Sequence, residues 1–186
     1  MNYKLLHIFQ NTPFGRESMM QSLYFCRTIQ AFPVIYIPET TKFLMYFSND
    51  VLQIDLHPSY LTDPETARNH VEQLFEDMGG KPMFYKPKNF TSGTLPDIST
   101  RFDYLCCPRS VSDLSSTFKP GNIGLKVRRL INQAPFPILM TRPVFKPWKR
   151  ICVFLRQTAH FAGMTDPVQL GANLARLTGF PQIGRA

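Results

Sequence analysis

The residues best suited to chemistry form a short loop at 119–124, Lys-Pro-Gly-Asn-Ile-Gly, directly before a predicted helix. The N-terminus of a helix presents unpaired N–H groups and attracts anions. Lys126 falls in the first turn of that helix, so a phosphate or a nucleotide suits this loop. The alternative is an ordinary Gly-Asn turn that caps the helix.

No further catalytic or metal-binding motif stands out. The P-loop, G-x-S-x-G, H-E-x-x-H and G-x-G-x-x-G patterns are all missing from the sequence. The four cysteines form no C-x-x-C pair and no zinc spacing. Cys106 and Cys107 are adjacent, which permits a redox pair, but buried reduced thiols are the favoured interpretation. The four histidines form no evident triad, so we favour a binding module over an enzyme.

Composition favours a protein with a large core. The chain has 186 residues, of which 44% are hydrophobic, and its formal charge is +8. That charge favours anionic partners, but the basic residues are scattered, so nucleic acid is not the favoured partner. No apolar stretch approaches the roughly 18 residues that a membrane helix needs, and we expect a cytoplasmic protein without a membrane partner.

The elements that would position the loop alternate between strand and helix. Helices are predicted at 16–29, 62–77 and 123–133, and strands at 5–9, 32–37, 82–85, 102–107 and 136–140. This order predicts an α/β fold, a doubly wound, five-stranded parallel sheet with helices on both faces, of the Rossmann-like type. Residues 43–47 fit either a helix or a strand, 52–56 an extra strand, and 90–98 a loop with a short helix.

The C-terminal part resembles the opening of the chain. Residues 148–154 repeat the pattern of 3–9, and a predicted helix at 167–177 follows. We therefore divide the chain into an α/β domain at 1–147 and a partial second repeat, a βα unit, at 148–186. Such a unit cannot bury its apolar face alone, so it packs on the first domain, pairs with another chain or stays loose.

Residues 3–142 resemble the universal stress protein family. Residues 134–139, Ala-Pro-Phe-Pro-Ile-Leu, match the family's A-x-x-P-V-L segment. The family's glycine loop, G-x2-G-x9-G-[ST], falls on Pro108, Val111, Gly121 and Asn122, so a single glycine is retained. Gln10 or Asn11 stands where the family has an aspartate after its first strand.

The resemblance implies a stress-response signalling module that binds ATP or AMP and forms homodimers. The dimer would use the edge of the fifth strand or the C-terminal partial repeat. The alternative is a dimeric scaffold on the same fold that binds no nucleotide. The nucleotide-binding residues that the resemblance implies are Gln10, Asn11, Thr12, Ile37, Cys107, Pro108, Gly121, Asn122 and Ile123. Two cations join them as candidates on their own chemistry: Arg109, beside a serine-rich loop, and Lys126, in the first turn of the helix.

Overall fold

A computed structural model of the protein describes most of the chain. The described residues are 3–10, 12, 14–47, 51–77, 80–88, 95–99, 101–108, 123–141, 144–148, 151–154, 167–179 and 182–185.

A five-stranded, all-parallel sheet forms the centre of the protein. Its strands are β1 (Lys4–Ile8), β2 (Phe32–Tyr36), β5 (Met83–Phe84), β7 (Tyr104–Cys107) and β8 (Ile138–Met140). They lie side by side in the order β5-β2-β1-β7-β8. Each corresponds to a strand predicted from the sequence, and the start points differ by at most two residues. The predicted α/β fold is therefore confirmed.

Four helices are described, and they lie close to the predicted ones. They are α1 (Gly15–Ile29), α2 (Pro64–Glu76), α3 (Leu125–Gln133) and α4 (Pro167–Thr178), and a short 3-10 helix spans Pro58–Tyr60. Local chemistry accounts for the start of α2. Asp63 accepts a hydrogen bond from the Thr66 N–H at 2.8 Å, and Pro64 occupies the first helical position, where a missing N–H costs nothing.

One face of the sheet is covered by α1 and α2. Apolar residues of both helices pack against β1 and β2 around Phe9, Ile35 and Ile37. A second cluster joins α1 to β1 and β7 through Phe25, Cys26 and Cys106. Side chains alternate between the two faces of the sheet along β1, so every other residue of this strand packs against these helices.

The opposite face carries α3 and a small second sheet. That sheet has the order β4-β3-β6 and contains β3 (Lys42–Tyr46), β4 (Val51–Asp55) and β6 (Asp97–Ser99). Strands β3 and β4 pair antiparallel. Residues 43–47, for which the sequence permitted either a helix or a strand, therefore form a strand. The extra strand predicted at 52–56 is also present, one residue earlier.

The prediction of a loop with a short helix at 90–98 was wrong at its end. Residues 97–99 form β6, which pairs in parallel with β3. This pairing buries Ile98 completely. Residues 89–94 lie outside the described part of the chain.

The C-terminal residues form a βαβ unit. Strands β9 (Ile151–Phe154) and β10 (Gln182–Arg185) are parallel, and α4 connects them. Leu174 of α4 packs on the cluster that α1 makes with β1 and β7. Trp148, which precedes β9, packs on Tyr24 and Phe25 of α1, with ring centroids 5.7 and 5.6 Å apart. The described tail residues therefore contact the same chain.

Candidate functional site

The carboxyl ends of the parallel strands are the place to look for a site. In open α/β sheets, ligands bind outside these ends, where connections leave in opposite directions. In this sheet the direction changes between β1 and β7. Gln10 and Thr12 follow β1, and Ile37 follows β2. Cys107 ends β7, and Pro108 follows it. Of the other expected residues, Asn11, Arg109, Gly121 and Asn122 lie outside the described residues.

Gln10 is the most unusual polar residue at the end of β1. Its side chain is only 7% exposed, and its amide nitrogen has no hydrogen-bond partner among the described residues. The chain turns sharply behind it, because Thr12 N donates to Gln10 O at 2.9 Å and Gly15 N donates to Thr12 O at 2.8 Å. A Cβ at Gly15 would lie 2.1 Å from Gln10 O, so this close approach requires glycine.

The first turns of α1 are hydrogen-bonded to the segment that follows β8. The hydroxyl oxygens of Ser18 and Thr141 are 2.9 Å apart, and Thr141 is buried. The Phe145 N–H donates to the Glu17 carboxylate at 2.6 Å. The Thr141 contact occupies the Ser18 hydroxyl, and the negative charge of Glu17 disfavours an anion at this end of α1.

Cys107 offers no reactive group at the end of β7. It is fully buried, and burial raises the pKa of its thiol far above the ordinary value. The neighbouring Cys106 is also fully buried, and burial raises its pKa to about 12. Because the thiolate is the reactive form, both cysteines are inert in the folded protein, in agreement with the favoured interpretation.

Lys126, the expected phosphate ligand at α3, has a protein partner. Its ammonium nitrogen lies 2.7 Å from a carboxylate oxygen of Asp55 on β4. It also donates to the Gln53 carbonyl oxygen at 3.4 Å. The hydrogen bond from Lys126 lowers the pKa of Asp55, so the carboxylate stays charged at neutral pH. Ile123 precedes α3 and packs against the core.

A cleft of about 530 Å³ opens at the carboxyl ends of β2 and β5. Its walls combine apolar, aromatic and charged residues: Ile35, Tyr36, Ile37, Glu39, Thr40, Arg68, Phe84, Tyr85, Lys86, Pro87 and Pro96. A cleft of this volume accommodates one small organic molecule. Of the expected residues that the structure describes, Ile37 alone lines it.

Two tyrosines define one wall of the cleft. The rings of Tyr36 and Tyr85 meet edge to face, with centroids 6.3 Å apart. The Tyr85 hydroxyl oxygen accepts a hydrogen bond from the Ser99 N–H at 2.9 Å. The Tyr36 hydroxyl has no partner among the described residues, and its residue is 1% exposed. Burial, and then the charge of Glu39, raises the pKa of Tyr36 well above its ordinary value.

The opposite wall carries the positive charge. The Arg68 guanidinium lies over the Phe84 ring, 4.7 Å from the ring centroid. Lys86 is exposed at the rim. Within the described ranges, no acidic side chain lies within 4.0 Å of either cation. With Glu39 also at the rim, the described lining of the cleft carries two positive charges and one negative charge.

Sequence reasoning missed Tyr36, Arg68 and Lys86. Tyr36 is the last residue of an apolar run, and it was counted as part of a strand. The available signal was position: Tyr36 and Lys86 each lie where a parallel strand ends, and Arg68 is one turn into α2, which begins at this edge of the sheet. Among the described residues, no histidine, cysteine or serine lines the cleft.

The comparisons with known proteins leave the chain without a family. No protein-family model matches it, and no curated protein matches it. Within the described residues, no group of three His, Cys, Asp or Glu side chains could hold a metal ion. The helices described here are also too short or too polar to cross a membrane.

Proposed function

We propose that this protein is a nucleotide-binding signalling module of the universal stress protein type. Its ligand is ATP, AMP or a related nucleotide, held in the cleft at the ends of β2 and β5. The cleft itself carries the proposal. It has the size of a single small ligand, it lies at the carboxyl edge of a parallel sheet, and it combines aromatic walls with two cations.

The chemistry of the lining residues favours binding over catalysis. An enzyme of this class needs a nucleophile with a base, or a metal site. The ionisable side chains that line the cleft, among the residues described in the structure, are one carboxylate, two cations and two tyrosines, and none of these forms a nucleophile–base pair. The net positive charge instead attracts an anion.

A scaffold that binds no nucleotide is the second candidate, and a specific observation favours it. Lys126, the cation expected at a phosphate because it lies in the first turn of α3, forms an ion pair with Asp55. Pro108 also removes a backbone N–H at the end of β7. A chain with these two features fits a partner-binding role if the cleft proves to be empty.

Calorimetry distinguishes the two candidates. We expect the protein, purified without nucleotide, to bind ATP, ADP or AMP at one site per chain with micromolar affinity. Lys86→Glu, at the cleft, should weaken binding at least tenfold, because it reverses the charge beside the ligand. Lys81→Glu is the matched control, since Lys81 is also exposed but precedes β5. No binding at millimolar nucleotide, and none co-purified, would favour the scaffold.

Homodimerisation through β8 belongs to the same proposal. Strand β8 is an edge strand of the five-stranded sheet, and an edge presents unpaired backbone groups. Met140 on this strand is 39% exposed. Residues 137 and 141 hydrogen-bond to β7, so the N–H of Met140 points to the open edge. Sedimentation or light scattering should give twice the chain mass, and Met140→Pro, which removes that N–H, should give the chain mass; a wild-type monomer at micromolar concentration contradicts dimerisation.

A further inference from the structure

The small sheet has two outer strands, β4 and β6, and each has one side that no strand of the described residues pairs with. Such a free edge carries unpaired backbone N–H and C=O groups, and it can pair with a strand of another chain. The groups that lie along each edge therefore determine whether copies of the chain associate through this sheet.

The free edge of β6 is covered by the same chain. In a parallel pair, alternate residues face the partner strand, and Asp97 and Ser99 are the ones that face away from β3. The Asp97 N–H donates to the Lys88 oxygen at 3.2 Å, and the Ser99 N–H donates to the Tyr85 hydroxyl oxygen at 2.9 Å. Both outward N–H groups of this strand therefore have a partner.

The free edge of β4 also carries outward backbone groups. The Leu56 N–H donates to the Thr41 oxygen at 2.7 Å, which fixes the alternation along the antiparallel pair. The N–H and C=O of Gln53 therefore point away from β3. Beside this edge, Tyr46 and Val51 lie opposite each other and are 37% and 46% exposed. An edge next to exposed apolar side chains favours pairing with another strand.

A lysine lies across the β4 edge. The Lys126 ammonium donates to the Gln53 carbonyl oxygen at 3.4 Å, and it lies 2.7 Å from the Asp55 carboxylate. It reaches the edge from the first turn of α3, a helix that packs on the core through Val127 and Leu130. An incoming strand would have to displace this ammonium group from both oxygens, and burying an unpaired charge costs free energy.

We propose that Lys126 protects the free edge of β4 from pairing with β4 of a second copy of the chain. Natural sheets limit association at an edge by placing charged side chains there, lysine above all. A second copy is the fitting partner because the edge is complementary to itself. In an antiparallel pair centred on Gln53, Val51 lies opposite the partner's Asp55, and no like charges meet. This role does not depend on the proposed nucleotide binding.

Removal of the charge tests this role. Lys126→Met keeps a long, flexible side chain but lacks the ammonium group. Sedimentation velocity from low to high micromolar concentration should give an average mass at least twice that of the wild-type protein. Lys81→Met is the matched control, because Lys81 is exposed, precedes β5 and carries the same charge. This control should keep the wild-type mass.

Dimerisation through β8 and protection of β4 can fail separately. If the wild-type chain is a dimer through β8, a second pairing edge joins the dimers into longer, open-ended assemblies. If the wild-type chain is a monomer, the β8 proposal is wrong, and Lys126→Met should form dimers. In both cases the variant is compared with the wild type at the same concentration.

A second substitution shows whether the association uses the backbone of β4. Gln53→Pro removes an N–H that points away from β3, so the hydrogen bonds between β3 and β4 remain. Lys126→Met combined with Gln53→Pro should return to the wild-type mass. Gln53→Pro alone should keep the wild-type mass and a cooperative thermal transition. If Gln53→Pro alone unfolds, the comparison of Lys126→Met with Lys81→Met decides.

Each of the other outcomes overturns the proposal. Lys126→Met with the wild-type mass throughout the concentration range would show that the edge needs no protection. An equal increase in Lys81→Met would mean that any loss of positive charge causes association. Continued association of a folded double variant would place the contact at another surface. A Lys126→Met chain that does not fold would assign Lys126 to stability instead.

Discussion

Lys126 and Asp55 form an ion pair of 2.7 Å that joins α3 to β4, the edge strand of the small sheet. The two side chains are 27% and 33% exposed. The pair therefore lies at the surface, where water screens it, and its contribution to stability is modest. The pair also compensates the positive charge of Lys126 at the start of α3.

Asp55→Asn should reduce stability slightly at neutral pH and by less in acid. The hydrogen bond from Lys126 lowers the pKa of Asp55 in the fold. The stabilisation by the charged Asp55 side chain is fully present above about pH 4, the pKa of this group in the unfolded chain. It is lost as the pH falls through the lower pKa that Asp55 has in the folded protein. We expect a loss of about 0.5 kcal/mol at pH 7, measured by urea unfolding. Glu72→Gln, at an exposed position of α2, is the control. If Asp55→Asn loses as much stability at pH 3 as at pH 7, the loss does not come from the charge of Asp55.

Gly15→Ala should destabilise the protein by about 1 to 3 kcal/mol. The added Cβ would lie 2.1 Å from the Gln10 carbonyl oxygen, which belongs to the backbone and cannot rotate away. Gly80→Ala is the matched control, because its Cβ would meet its nearest atom, on the Phe75 side chain, at 3.6 Å. The measurement is chemical denaturation of both variants. Equal stabilities would show that the turn after β1 adjusts freely.

His7 should make the protein sensitive to mild acid. Burial lowers its pKa from 6.5 to about 3, so below about pH 6.5 the unfolded chain binds a proton that the fold excludes. Stability therefore falls as the pH drops from about 6.5 towards 3, by up to about 1.4 kcal/mol per pH unit. His7→Leu should remove this slope, because the apolar side chain does not titrate.

The control for His7→Leu is His70→Gln on α2, which retains the buried histidine and should retain the slope. Urea unfolding at half-unit pH intervals measures both variants. His7→Leu should also preserve stability at pH 7, since the His7 Nδ1 atom has no hydrogen-bond partner among the described residues. A wild-type slope in His7→Leu would assign the acid sensitivity to another group.

The thiols of Cys26, Cys106 and Cys107 should resist alkylation in the native protein. All three are at most 2% exposed, and burial raises the pKa of Cys26 and Cys106 to about 12. Mass spectrometry after iodoacetamide at pH 8 should find them unmodified in buffer and fully modified in urea. Rapid native labelling of Cys106 would revive the redox pair that the adjacent cysteines permit.

The central sheet was predictable because its signals are local. The strand at 32–37 is a continuous apolar run that ends at a proline, as expected for a strand covered on both faces. Strand β6 gave no such signal. It has three residues, and it exists because Ile98 lies beside Met45 of β3, a contact between distant parts of the chain. Such pairings depend on the tertiary structure and leave no periodicity to read.

The cleft was harder to predict than the fold for the same reason. Tyr36, Arg68 and Lys86 belong to three separate segments, and the order of the strands brings them together. The start of a predicted helix directed attention to Lys126, but its partner Asp55 lies on β4, a distant part of the chain. Ile37 was found because the end of a strand is recognisable in the sequence.

Trp148 is the only tryptophan of the chain, and it lies where the C-terminal segment meets α1. Its emission therefore reports on one junction and not on the sheet as a whole. Release of the βαβ unit from α1 would shift that emission to longer wavelength while the secondary structure of the sheet persists. The protein thus contains an intrinsic optical probe that follows detachment of its tail separately from global unfolding.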